Sequence, residues 1–431
     1  MKALRTLTSV VFAMMALAAN AQEGTWNGEL NVMGNKVPLV FNFSTNGCTI
    51  DSPSQGVNGI QAEKTVKDDG TIKVKVGMIG ATFEGKMIDG EIKGTYVQNG
   101  FPLPLTLKPG KLVVKRPQTP VPPFPYKEES VSFTNAQYTF NGTLTLPENY
   151  SKNTPVVLMV SGSGQQNRDE ELFSHKPFAV IADALARQGI ASLRYDDRGW
   201  GDKSVNFADF TTDDFRQDAA AALPLLRKRF NKVGILGHSE GGTIAMMLAA
   251  EGKADFIVSL AGMAISGKET LIMQNRQAMT AIGLPKETVD SYCNSISKAL
   301  DEIASGKKAN EINIDDVPQA LKPITIKALQ QADTPYIRHF LTVDVGKLLP
   351  KIKCPVLALN GTKDTQVDCD ANTTRIEKGL ANCKHSIKKI DGVNHMFQHC
   401  NTGIVTEYQQ IEETIAPEVL QVVAKWIKSE S

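Results

Sequence analysis

The sequence predicts two folded parts in one chain. A small antiparallel β-barrel-like domain comes first, followed by an α/β domain with a mostly parallel sheet and a helical cap. Three observations predict this. Residues 22–115 hold short strands separated by hairpin-turn dipeptides, with no helical period. Pro117, Pro120, Pro122, Pro123 and Pro125 then crowd into one short stretch. From about residue 127 apolar strands alternate with helices, until one long helical segment interrupts them.

Taken in order, residues 1–21 predict a signal peptide rather than part of the fold. Lys2 and Arg5 form a basic start, Val10 to Ala19 is an apolar run short for a bilayer, and Ala19-Asn20-Ala21 fits a small-x-small cleavage site. The mature chain would then be exported, to the periplasm or beyond. Strands are expected over 25–32, 37–44, 72–76, 81–87, 91–97 and 103–107. Asp69-Gly70, Asp89-Gly90 and Asn99-Gly100 lie between them as turn signals. Closing such a set into a barrel removes exposed strand edges. The prolines make 116–126 a semi-rigid linker.

The α/β domain, 127–431, opens with a hairpin over 129–133 and 137–146. Strands follow at 156–160, 191–195, 233–236, 256–260, 356–360 and 385–390. Helices are expected at 178–188, 213–228, 243–251 and 417–428. Between about 264 and 350 the texture is helical, over 269–281, 286–303 and 317–331. An insertion there projects above the carboxyl ends of the strands, where open α/β sheets bind ligands, so it reads as a cap over a site.

Composition narrows the function. Lys plus Arg is 47 against 46 for Asp plus Glu, a net charge of +1, so no bulk field favours nucleic acid or an anionic membrane. No stretch beyond the leader is apolar and long enough to span a membrane. Cys48, Cys293, Cys354, Cys369, Cys383 and Cys400 allow fifteen pairings and match no zinc spacing. No metal or cofactor is expected. Cys369 and Cys400 each follow a candidate site residue, so a link between those two loops is one expectation.

The chemistry concentrates in Gly237-His238-Ser239-Glu240-Gly241-Gly242. Strand, G-x-S-x-G, helix is the context of a nucleophile elbow, a sharp turn that presents the serine on a strained backbone. Gly237 and Gly241 flank it because that turn leaves no room for side chains. A serine hydroxyl needs a base to take its proton, and the base needs a carboxylate to orient it. Asp364 and His395 follow the strands at 356–360 and 385–390, in the order Ser, acid, His. Asp368 and Asp370 lie further out, at the start of the next helix. His175, His238, His339, His385 and His399 compete with His395, and His399 is the first replacement. An oxyanion hole needs two N–H donors. Glu240 supplies one from the residue after the nucleophile. Ser163, in the Gly-rich loop 161–169, supplies the other, with Gly164 or Gln165 as alternatives.

Four stretches resemble the α/β-hydrolase superfamily, in particular exported bacterial serine esterases with an N-terminal β domain. They are Ser161-Gly162-Ser163-Gly164 through Arg168-Asp169, Arg194 to Gly199, Gly237 to Gly242, and Gly392 to Gln398. The superfamily includes dienelactone-hydrolase-like enzymes and serine aminopeptidases. Ser161 stands where many relatives carry His. The resemblance implies the same triad and a metal-free mechanism, and Asp196, Asp197 and Arg198 are expected to brace the loops by salt bridges. The expectation is a carboxylesterase acting on a small-molecule ester of small or medium acyl groups. An aminopeptidase, amidase or thioesterase is the alternative, with Asp315-Asp316 as a faint amino-terminus site. A glycan- or lipid-binding protein with an inactive hydrolase domain is the alternative of a different class.

Overall fold

The computed structural model describes residues 23–32, 35–45, 47–53, 57–111, 115–281 and 283–430. The signal-peptide expectation for 1–21 falls outside them. The chain divides into two compact units, residues 1–115 and 116–431.

The first unit is a closed barrel of eight antiparallel strands in chain order: β1 (Gly24–Val32), β2 (Asn35–Ser44), β3 (Gly47–Ser52), β4 (Val57–Val66), β5 (Ile72–Val76), β6 (Ala81–Ile88), β7 (Glu91–Gln98) and β8 (Phe101–Pro109). β8 returns to β1 through Trp26↔Pro109 and Asn27↔Lys108. Alternate residues fill the interior, with Phe41, Ile72, Phe83, Ile92 and Leu107 fully buried. At Asp89-Gly90 and Asn99-Gly100 both turn residues have positive φ, as a type I′ hairpin requires. The sequence does not predict β3 and β4. β4 buries Ile60 alone among its described side chains, so its alternation carries almost no signal.

The second unit holds an eight-stranded sheet built from β9 (Tyr126–Asn135), β10 (Tyr138–Pro147), β11 (Val156–Val160), β12 (Ala191–Tyr195), β13 (Val233–His238), β14 (Ile257–Leu260), β15 (Val356–Gly361) and β16 (His385–Ile390). The order is β16-β15-β14-β13-β11-β12-β10-β9. Neighbours are parallel from β16 to β12, whereas β10 runs antiparallel to both β12 and β9. Helices are α1 (Pro177–Arg187), α2 (Thr212–Arg227), α3 (Glu240–Ala250), α4 (Gly267–Ala281), α5 (Lys286–Ala304), α6 (Lys322–Ala332), α7 (Pro335–Thr342), α8 (Cys369–Gly379), α9 (Val405–Tyr408) and α10 (Pro417–Glu430).

Period-two alternation gives the sheet two apolar faces. Val156, Leu158, Ile235, Ile257 and Val356 pack with Ala222 and Leu223 of α2 and Ile244 of α3. Val157, Met159, Leu236, Val258 and Leu357 pack with Phe178 and Ile181 of α1 and Val419 and Val423 of α10. Helices α4 to α7 form the insertion and share a cluster of their own around Tyr292, Ile296, Leu300, Ile303 and Leu329. The sequence extends α6 back to Val317, but Pro318 and a 3₁₀ turn over Gln319–Leu321 delay it to Lys322. Helix α7 goes unpredicted, although Thr334 caps it and Pro335 opens it.

Segment 116–126, expected as a semi-rigid linker, groups with the second unit. Arg116 donates to the carbonyls of Phe173, Gln409 and Ile411, while Gln118 bonds the backbone of Thr414 and Ile415. Cys369 and Cys400 are not linked, and all six cysteines are free. The Cys369 Sγ, at the start of α8, lies against Asn360 O of β15, and the Cys400 Sγ against Gly392 O in the segment after β16.

Candidate active site

Strand β13 ends at His238, and Ser239 sits between it and α3 with φ 53° and ψ −120°. That conformation is costly for a residue with a Cβ and survives only where the surroundings impose it. The glycines show how. A Cβ on Gly237 would lie 2.0 Å from Gly241 O, and one on Gly241 would lie 1.9 Å from Val160 O. A Cβ on Gly242 would meet Gly262 Cα at 2.8 Å. Strand, turn and helix therefore touch backbone to backbone.

Asp364 and His395 occupy the loops after β15 and β16, and both are buried. His395 Nδ1 lies 2.7 Å from Asp364 Oδ2. The other carboxylate oxygen of Asp364 accepts the amides of Gln366 and Val367, both at 2.8 Å, and Asn360 Nδ2 donates to Oδ2 at 3.1 Å. The acid is thus fixed before it orients the imidazole. Ser239, His395, Ser163 and His238 line one cavity of about 300 Å³. Apolar walls come from Met263, Leu271, Ile337, Phe340, Val367 and Met396. The insertion supplies three of these, on α4 and α7, so it does overhang the site.

Loop 161–169 after β11 approaches the elbow closely, since a Cβ on Gly162 would lie 3.1 Å from Ser239 Cβ. The Gly162 amide is committed to Glu170 Oε1 at 2.6 Å and the Gln166 amide to Asp197 Oδ2 at 2.7 Å. Ser163 lies between them and Glu240 is the first residue of α3, where an amide has no intrahelical acceptor. The Glu240 side chain is buried. It accepts from Tyr336 Oη at 2.6 Å and Thr212 Oγ1 at 2.7 Å, and it also bonds Ser163. Burial pushes its carboxyl up, against the pull of those donors.

The bracing residues act in different ways. Arg168 grips Asp196 with two nitrogens, and Arg198 grips buried Asp218 through Nε at 2.9 Å and Nη2 at 2.8 Å. Asp197 departs from the expected salt bridge: among the described residues it forms no ion pair, and it accepts instead from Ser161 Oγ and the Gln166 amide.

Among the competing residues, His238 lines the same cavity, while four others are placed elsewhere. Asp368 caps α8 through the Ala371 amide, and Asp370 pairs with Lys389. His399 is half exposed between Glu413 and Glu418, and His175 is buried against Thr414 and Tyr408 O. Sequence reasoning missed Tyr336, whose α7 it did not predict, and Glu170, which lies in a loop without periodicity. Among the described residues no group of three or more His, Cys, Asp or Glu is placed to hold a metal ion, and no helix is long and apolar enough to cross a membrane.

The family model described as serine aminopeptidase S33 matches residues 174–399, a span that contains 239, 364 and 395. Esterase EstD of Thermotoga maritima is 27% identical over 305 residues, covering 69% of this chain and 68% of that protein. The human serine hydrolase BPHL is 24% identical over 252 residues, covering 55% of this chain and 72% of its own length. Among solved structures, a dienelactone hydrolase from Anabaena variabilis aligns with TM-score 0.41 at 16% identity, covering 71% of this chain and 98% of its own.

Proposed function

From a chain that belongs to the serine aminopeptidase S33 family, within the α/β-hydrolase superfamily, we propose a carboxylesterase that works through an acyl-enzyme. It is a serine hydrolase acting on esters; the triad, acyl size and location are our reading. The observation that carries it is the buried Asp364–His395 pair, 2.7 Å apart, opening onto the same cavity as a strained Ser239.

Ser239 Oγ attacks the ester carbonyl while His395 Nε2 takes its proton. Asp364 holds the ring through Nδ1 and stabilises the imidazolium that forms. The amides of Glu240 and Ser163 receive the oxyanion. His395 then protonates the departing alcohol. Water, activated by the same imidazole, releases the acid and restores the serine.

The cavity walls favour small or medium acyl groups over an amino terminus. Asp315 and Asp316 are largely exposed, pair with Lys322 and Lys298, and do not line the cavity. The acidic lining residue, Glu170, is already engaged by Gly162 and His238. The filled barrel interior likewise offers little to a glycan or lipid ligand. Export, with cleavage after Ala21, remains part of the proposal, and N-terminal sequencing of the mature protein tests it.

A fluorophosphonate probe should label the protein and fail to label Ser239→Ala. No labelling of well-folded wild type would reject the serine mechanism. Nitrophenyl esters of rising acyl length, assayed beside aminoacyl anilides, then test the bond type. Faster anilide turnover would reverse the choice in favour of a peptidase.

A further inference from the structure

A second histidine–carboxylate pair lies beside the proposed triad and takes no part in it. His238 ends β13 and Glu170 lies in the segment after β11; both are buried. His238 Nδ1 is 3.0 Å from Glu170 Oε1, and Nε2 is 2.9 Å from the carbonyl oxygen of His395. A neutral imidazole offers one N–H and one lone pair. Here each nitrogen faces an oxygen that accepts. The carbonyl can do nothing else, and Glu170 Oε1 already receives the Gly162 amide. A ring that donates from both nitrogens, an imidazolium, satisfies all three contacts at once.

We propose that Glu170 and His238 form a standing imidazolium–carboxylate pair that positions the His395 loop and the oxyanion loop about Ser239. The role in positioning rests on the serine-esterase reading; the charge state does not. The pair joins three strand-end loops, those of β11, β13 and β16, through atoms one residue or less from a proposed reacting group. Gly162 precedes Ser163, His238 precedes Ser239, and the third contact is the backbone of His395 itself. The two imidazole rings lie 4.8 Å apart between centroids.

The arrangement is expensive, which argues against a purely stabilising origin. Burying an ion pair costs desolvation that close packing of apolar groups avoids. Glu170 has φ 52°, in the left-handed region, and its buried Oε2 has no hydrogen-bond partner among the described residues. The groups facing His238 are consistent with its charge. Burial pulls the imidazole down, but the Glu170 carboxylate and its hydrogen bond outweigh this. The His395 carbonyl and the more distant Asp364 carboxylate act in the same direction, so the net shift is upward. Phe397 covers another side with its ring.

The test uses the full chain with ¹⁵N-labelled histidine. At about pH 8, where an ordinary histidine with pKa about 6.5 is neutral, both His238 ring nitrogens should resonate as protonated. His238→Gln assigns the signals. One unprotonated nitrogen at that pH, as when Glu170 holds the proton instead, would overturn the charge assignment.

Glu170→Gln keeps an acceptor but removes the charge. It should lower kcat on a nitrophenyl ester about 10- to 100-fold with KM within about twofold, as expected from misplaced reacting groups. An unchanged kcat, or a loss carried by KM and thermal stability alone, would overturn the positioning role. Restored turnover in Glu170→Asp, relative to Glu170→Gln, would support it. Failure of the esterase reading looks different: no probe labelling and no ester turnover in wild type, with the His238 signature intact.

Discussion

His175 and His238 are both buried, yet their neighbours demand opposite protonation. His175 Nε2 faces Tyr408 O and Gln398 Nε2 while Nδ1 meets the Thr414 hydroxyl, and among the described residues it pairs with no carboxylate. Burial therefore pushes its imidazole down to about 4. The sign of the stability effect follows. Above the unfolded value of about 6.5 neither state holds the proton and the contribution is complete. As pH falls from there towards 4 the unfolded chain binds a proton that the native one refuses, so stability is lost. The most this can cost is roughly 3 kcal/mol. Thermal melts between pH 7 and 4.5 should show a steeper fall in wild type than in His175→Asn; parallel curves would refute the assignment. At Asp364 the expectation is kinetic. Asp364→Asn should fold, because its amide oxygen can still accept from Gln366 and Val367, while kcat on esters falls roughly 10⁴-fold through the wrong His395 tautomer. Ser239, Asp364 and His395 stand out in the sequence as candidates because each follows a strand with its own pattern. Glu170 does not, since a left-handed loop carboxylate leaves no periodic trace.

At the scale of elements, contact between backbones governs the elbow. Gly241 has no room for one more carbon, because Val160 O occupies its place. Gly241→Ala must therefore push α3 away from β11 or prevent folding, and soluble yield together with probe labelling should both collapse. Retained labelling at wild-type rate would show that the elbow can relax. The cap is attached more softly. Tyr336 on α7 donates to the buried Glu240 carboxylate, whose own amide is the proposed oxyanion donor. Tyr336→Phe leaves that carboxylate one donor short, which costs about 1–3 kcal/mol. Its kinetic mark should be a raised KM, measurable on the nitrophenyl series, because the cap supplies the acyl walls. The helix carrying Tyr336 shows what sequence periodicity misses. Eight residues give too few turns for an apolar stripe to register. Only the Thr334 cap followed by Pro335 marked it. A different limit hid β4: among its described side chains Ile60 alone is buried, with Ala62 packed partly against the barrel core, so its alternation is faint.

On the scale of the whole molecule, the chain separates what reacts from what accompanies it. Every residue lining the cavity lies between Gly162 and Met396, inside the second unit. The first unit closes its own sheet and fills its own interior, so neither unit depends on the other for a core. Residues 116–431 should therefore fold alone and keep kcat/KM on short nitrophenyl esters within about twofold of the full chain. The starting residue matters. Arg116 and Gln118 hold the backbone at Phe173, Gln409, Ile411, Thr414 and Ile415, and the last four of these lie in the segment between β16 and α10. Several partly buried carbonyls lose their donor if those two side chains go, at up to about 1–3 kcal/mol for each group left without a partner. A chain begun at residue 127 should thus melt well below one begun at 116, although both retain the proposed triad. Equal melting would mean the proline-rich segment is a spacer after all, as its composition alone suggested. Lost activity in the 116–431 chain, with its fold intact by circular dichroism, would instead give the barrel a part in catalysis that its own residues do not reveal.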